Sequence, residues 1–405
     1  MHKSNFEKIL VDVLVSKSSF LFLVCVTTLL RVYIHFAGIP YQSGDMSVFL
    51  KWYQTIQNMG GLATVGNVVE YPPGFSFLFV CIANLPFSPQ ANLKVLALLG
   101  NFVTAIAGYL IVNELTQTRA KSHYYGYVAY AVILLLPSLV LNASVWGQMD
   151  SLWCSFLLLS LYFLIKKKFG VAFFLVGVSI SLKQTAVLVM PLLFLLYLEN
   201  EEISIMYFIN IIFGYTFMCL PSIISGDYNV FLPYFHGKAD ALVVNFTNIY
   251  TLFEQNWWTV FFNPLFFQIG QLFAISILFL FICILFRNKI SVSNENVLLL
   301  MTVFIVLICN VLPGVHDRYM IFADITSVLY FISVRNIKVI WIPLYINFVS
   351  LFNIINYFFA CLFGAVSELR TVIIQQVSIA FLLCSCYLVY YVLSKLKKNT
   401  IYSES

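Results

Sequence analysis

Five short polar stretches in this chain combine residue types that can move a proton and hold an anion. They are Asp45, Glu70-Tyr71, Trp146-Gly147-Gln148-Met149-Asp150, Lys183-Gln184 and His316-Asp317-Arg318-Tyr319. Asp45 and Asp150 are candidate bases. Lys183, His316 and Arg318 are candidate cations, and Tyr71 and Trp146 bring stacking rings. The mixture suits an anionic substrate carrying a polar group that must lose a proton. Each stretch alone has an ordinary explanation: a loop Asp is solvated, and an Arg at a helix end meets lipid phosphate. The case rests on whether the helices bring the stretches to one place.

Composition says what those helices are. Of 405 residues, 61% are hydrophobic and only 10% charged, with mean hydropathy +0.92. A soluble domain carries about 25% charged residues. The apolar runs reach spanning length and lack the alternation of an outer-membrane barrel. An all-α, polytopic membrane bundle is expected, one membrane domain over residues 1–405. The net charge of +5 points to no nucleic-acid partner, because the basic residues cluster at helix ends. The nine cysteines are scattered, mostly in apolar runs, without Cys-x-x-Cys spacing, and read as core filler. The first apolar run has no small-residue cleavage site after it and is expected to stay as helix 1.

The chain reads as about twelve transmembrane helices. Helix 1 (about 18–37) holds Arg31, an intramembrane cation and so a functional candidate, or one that snorkels to the interface. Residues 38–90 form a first outer loop. Within it, Met46 to Asn58 sets Val48, Phe49, Trp52, Tyr53 and Ile56 on one face, as an interfacial helix would. Pro72-Pro73 then stiffens the turn after Glu70-Tyr71, and Phe75 to Phe87 makes a second, short interfacial or re-entrant helix. Lys183-Gln184 breaks the apolar stretch Val171–Leu198 into two short helices. A second outer loop covers 225–263, with Asp227, His236, Asp240 and Trp257-Trp258. On this layout 15 of the 22 Lys and Arg lie in inner segments, and four (Lys51, Lys94, Lys238, Arg370) lie outside or at the outer interface. That asymmetry places both termini in the cytoplasm. It also puts all five polar stretches at outer helix ends. No internal repeat is visible, so an inverted-repeat transporter is not suggested.

The order Asp, Tyr71-Pro72-Pro73, Trp146-Gly147-Gln148-Met149-Asp150-Ser151, Lys183-Gln184 and His316-Asp317-Arg318-Tyr319 resembles integral-membrane glycosyltransferases of the GT-C type. It looks closest to bacterial relatives of the mannosyltransferases of glycolipid-anchor assembly. The similarity spans about Arg31 to Tyr319. It departs in two places: His-Asp-Arg-Tyr stands for the usual His-Glu-Arg-Tyr, and Lys183-Gln184 for Lys-Pro-Gln. The resemblance implies a lipid-linked donor such as a polyprenyl-phosphate sugar, a glycan or glycolipid acceptor, transfer on the outer face, and Asp45 as the base; the compact loops and lack of a targeting tail point to a bacterial plasma membrane. It implies substrate-binding roles for Glu70, Tyr71, Trp146, Gln148, Asp150, Lys183, Gln184, His316, Arg318 and Tyr319, and Arg31 joins them as a candidate. The chemistry agrees: a sugar hydroxyl needs a base, and a phosphate leaving group needs cations, best an Arg fork. Trp52, Tyr53, Tyr71 and Trp146 are expected to stack on sugar or to anchor the interface. Convergence of Asp45, Glu70 and Asp150 would make a divalent-metal site, but the first loop has no Asp-x-Asp and no metal is assigned. Two rival classes are a flippase of lipid-linked sugars and a surface-polysaccharide polymerase or ligase.

Overall fold

A computed structural model describes residue 7 and residues 16–58, 71–83, 85–117, 122–226, 230, 242–253, 264–288, 292–294, 296–363 and 368–403. Glu70 and most of the expected second loop, with Asp227, His236, Asp240 and Trp257-Trp258, lie outside them. The described residues are helical apart from turns and one isolated bridge between Val244 and His316.

The helices follow the sequence punctuation. Ser16 caps α1 (Lys17–Gly38) through its Oγ, which accepts from the Ser19 amide at 3.2 Å. The segment α2 (Gly44–Asn58) buries Met46, Phe49, Tyr53 and Ile56, close to the expected face, although Val48 is exposed. Pro73 opens α3 (Pro73–Ile82). Ser88 caps α4 (Pro89–Thr116), with Pro89 at its first position, where a missing N–H costs nothing. After α5 (Ser122–Leu134), Pro137 starts the single turn α6 (Pro137–Val140), which runs into a π turn, Leu141–Trp146. Gly147 ends that turn at φ +82°, a backbone region glycine enters without strain. Next come α7 (Asp150–Ile165), α8 (Phe169–Leu182), a 3₁₀ turn (Gln184–Val189), α9 (Met190–Glu199) and α10 (Ile209–Ile224). The second half holds α11 (Pro264–Arg287), α12 (Val297–Val311), α13 (Ile321–Val334), α14 (Trp341–Phe363) and α15 (Glu368–Ser403).

Among the described residues six helices are long and apolar enough to cross a bilayer, seven if the pair Tyr124–Leu134 and Pro137–Trp146, bent by 46°, is one span. The chain is thus a multi-pass membrane protein. Length alone does not establish the expected count of about twelve: α7, α8, α12 and α13 have only 16, 14, 15 and 14 residues, short of the ~20 a lone span needs. These are also the helices whose residues are most thoroughly buried. Most of their residues pack against other helices.

Helix α4 packs on α7, α7 on α8, and α8 on α10. Side chains pin the first two contacts: Ser151 Oγ donates to the Ala97 carbonyl at 3.0 Å, and Ser179 Oγ to the Trp153 carbonyl at 2.7 Å. The third is backbone on backbone. A methyl on Gly177 would sit 2.8 Å from the Tyr215 amide nitrogen, and one on Gly214 would sit 2.9 Å from the Phe174 carbonyl carbon. Small residues permit such closeness in membranes. Gly177→Leu should therefore destabilise the detergent-solubilised protein by at least the ~1–3 kcal/mol of ordinary overpacking. Gly170→Ala, whose new methyl meets nothing nearer than 3.9 Å, should leave the melting temperature unchanged. Equal melting temperatures for the two variants would show that α8 and α10 are not in backbone contact.

Candidate active site

Every break in the helices near Tyr71, Gly147, Lys183 and Pro313 brings a polar side chain to one cluster. Asp45 stands in the first turn of α2, not in a free loop beyond α1 as expected. Its Oδ2 accepts hydrogen bonds from Trp146 Nε1 at 2.9 Å and Gln148 Nε2 at 2.5 Å. Arg318 Nη1 lies 3.8 Å from the same oxygen. The Asp45 side chain remains 36% exposed, so the carboxylate is held on one side and open on the other.

Asp150, at the start of α7, is wholly buried. Its Oδ2 accepts from Asn142 Nδ2 at 2.9 Å, and its Oδ1 accepts from Trp153 Nε1 at 3.0 Å and from the Lys183 ammonium. Arg318 Nε is 3.5 Å from Oδ2. Both oxygens are occupied, so Asp150 anchors the cations and has no free side to take a substrate proton.

Arg318 is the hub. Besides Asp45 and Asp150 it meets Asp317 Oδ1 at 3.3 Å, and its guanidinium lies 5.3 Å from the Trp146 ring centroid. Among the described residues its buried Nε has no hydrogen-bond partner, only the longer ion-pair contact to Asp150. Two joins hold the turn that bears it: the Gly314 amide donates to the Leu242 carbonyl at 3.1 Å, and His316 bridges to Val244. In this turn, outside the helices, burial raises the Asp317 carboxyl from 3.8 to about 7, against the pull of Arg318. Burial, with Arg318 and Lys183 nearby, holds the His316 imidazole well below its usual value. These surroundings favour the neutral imidazole. It packs beside Tyr319, with ring centroids 5.3 Å apart.

The remaining candidates fall into place around this group. The Lys183 ammonium lies 5.6 Å from the centroid of Tyr71, and Tyr71 packs edge-on against Phe75 and Trp52. Gln184 is half-buried beside Lys183 and opens the 3₁₀ turn. A cavity of about 10 Å³ lies between Tyr71, Phe75, Gln148, Leu152 and Lys183, room for about one water. Two expected sugar-stacking rings are used otherwise. Trp146 is fully buried and stacks on Tyr357 at 4.2 Å. Tyr53 is buried and donates to the Ile82 and Ala83 carbonyls. Arg31 does not join the group: it is buried in α1, and its Nη1 donates to Ser144 Oγ at 2.5 Å. Among the described residues no three of His, Cys, Asp and Glu converge as metal ligands, and Arg318 reaches both Asp45 and Asp150. The sequence reading missed Asn142, Trp153 and Lys94. Asn142 had a signal, since it precedes the Trp146 motif by one helical turn.

The chain matches the glycosyltransferase family 87 model over residues 70–313. It belongs to that family. No curated protein matches the chain. A family 87 membrane glycosyltransferase transfers sugar from a donor to an acceptor, which sets the flippase reading aside. The matched stretch holds Tyr71, Trp146, Gln148, Asp150 and Lys183 but stops short of Asp45 and Arg318 on either side. In the transferase those two outlying residues reach into the matched ones.

The Asp317 carboxyl gives a pH test. Folding favours its protonated form, so the stability this adds is full below about pH 4 and is lost as pH rises towards about 7. Asp317→Asn removes that dependence. Between about pH 5 and about pH 8 the melting temperature of the wild type should fall more than that of Asp317→Asn. Parallel curves would show that the carboxyl is not held protonated.

Proposed function

We propose that this transferase moves a sugar from a polyprenyl-phosphate donor to a glycan or glycolipid hydroxyl at the outer face of a plasma membrane, by single displacement with inversion. The observation that carries the reading is the Asp45 carboxylate, fixed by Trp146 and Gln148, half open, and 3.8 Å from the Arg318 guanidinium. Asp45 takes the proton of the acceptor hydroxyl. The oxygen attacks the anomeric carbon as the carbon–oxygen bond to phosphate breaks, and the phosphate leaves with the electron pair. It is already anionic and needs no general acid. Arg318, whose Nε has no hydrogen-bond partner among the described residues, and Lys183 supply the positive field. With Asp45 and Asp150 balancing those two cations, the near-neutral pKa of Asp317 keeps the site from carrying a full further negative charge that would repel phosphate.

In this reading α2 and α3 lie at the membrane surface, where a lipid-borne phosphate sits, and the short central helices also cross, giving about twelve passes with cytoplasmic termini. Cysteine labelling in a cysteine-free background tests that placement. Reagent outside intact cells should label an Asp45→Cys variant and not Lys167→Cys, and labelling at position 167 would overturn the topology.

Asp45→Asn keeps shape and removes the base. Turnover should fall by about 10²–10⁴ with donor affinity little changed, measured as transfer from a polyprenyl-phosphate sugar with no preformed polymer present. Near-normal turnover would reject Asp45 as the base, and a strict need for a polymer acceptor would favour a polymerase or ligase. Arg318→Lys keeps charge but loses the planar fork and should weaken donor binding. Donor affinity unchanged in Arg318→Ala would remove Arg318 from the phosphate site.

A further inference from the structure

Lys94 sits in the second turn of α4, in an apolar helix, and is wholly buried. Its Nζ donates to four backbone carbonyls: Gly38 at 2.6 Å, Tyr41 at 2.7 Å, Ser144 at 3.0 Å and Val145 at 3.3 Å. The first pair belongs to the end of α1 and the short link to α2, which carries Asp45. The second pair belongs to the end of the π turn, whose last residue is Trp146 and which Gln148 follows closely. Both ends present outward carbonyls and so partial negative charge. Facing each other in a buried place, they would repel without a cation between them.

We propose that Lys94 is a positioning residue: it clamps the segment bearing the base to the segment that presents the base's two hydrogen-bond donors. The proposal rests on the reading of Asp45 as the base. Other contacts run along the same seam. Ser43 Oγ donates to the Trp146 carbonyl at 2.8 Å and accepts from the Met46 amide at 3.1 Å. Arg31 Nη1 and His35 Nδ1 both reach Ser144 Oγ, at 2.5 and 3.1 Å. A methyl on Gly38 would lie 2.5 Å from the Ser144 carbonyl oxygen, so the two backbones touch there. Among the described residues Lys94 is the one cation of this seam that bonds both backbones. Gln90 helps on one side only, through the Ile39 and Tyr41 carbonyls. An interfacial lysine would extend its ammonium to water, whereas this one turns it onto protein carbonyls.

Lys94→Met keeps the length and apolar stem of the side chain and deletes the ammonium. The seam then loses its donor, and Asp45 drifts from Trp146 and Gln148. A displacement of about 1 Å costs up to about 10² in rate, so kcat should fall between ten- and a hundredfold while the donor KM stays within about threefold. The test is a cycle in the full-length, detergent-purified enzyme with wild type, Asp45→Asn, Lys94→Met and the double variant. A positioning role predicts that the double variant is no slower than Asp45→Asn alone, because effects through one group do not add. A double variant that loses the full Lys94 factor again would show an independent, merely structural role and overturn the proposal. So would Lys94→Met with normal kcat. Should Lys94→Met not fold, Lys94→Gln, which keeps an amide donor of similar reach, takes its place in the same cycle with the same criterion. Asp45→Asn at full turnover would refute the base reading itself, whereas an inactive Asp45→Asn beside a fully active Lys94 variant would refute only the clamp.

Discussion

Everything near the site depends on the guanidinium of Arg318 being surrounded by carboxylates. It meets Asp45, Asp150 and Asp317 within 3.8 Å, and Lys183 pairs with Asp150 beside it. Burying such charges is costly unless each has a partner, and removing one partner leaves the rest uncompensated. The constraint therefore fixes geometry. The starts of α2 and α7, the end of α8 and the turn before α13 must meet at one point, because each brings a charge that the others neutralise.

The backbone accommodates this with interruptions gathered at that point. Gly147, the extended Lys183 and the turn from Pro313 to Met320 all break helices there. Non-helical backbone inside a membrane protein is tolerated only where protein or a polar cavity satisfies it. Lys94 meets that need for the ends of α1 and the π turn, and Asn142 and Trp153 complete Asp150. The same breaks that permit a reactive cluster thus create the polar demand that the cluster's supporting residues fill.

Much of this was legible because charge is scarce in the chain. Asp45, Asp150, Lys183 and Arg318 stand out against apolar helices, and the periodic face of α2 was readable save for Val48. What sequence could not supply was direction and cover. Trp146 reads as a surface ring, but its nitrogen turns inward to Asp45 and its face is taken by Tyr357. Lys94 reads as an interfacial lysine because its position near a helix start says nothing of the carbonyls converging on it from two other segments. His316 reads as a cation, yet burial beside Arg318 and Lys183 favours its neutral form. The count of about twelve spans is likewise not decided by helix length. Hydropathy marks α7, α8, α12 and α13 as apolar, but not that most of their residues pack against other helices.

The central claim is that the open side of Asp45 faces the acceptor hydroxyl while the donor phosphate lies against Arg318. The most direct measurement is a structure of the enzyme, made slow by Asp45→Asn, with a polyprenyl-phosphate sugar and an acceptor bound together. The account predicts the residue-45 side chain within about 2.6–3.2 Å of the acceptor hydroxyl, the phosphate on Arg318 and Lys183, and the two on opposite sides of the anomeric carbon. A hydroxyl seated on Asp150, or a phosphate bound away from Arg318, would contradict it.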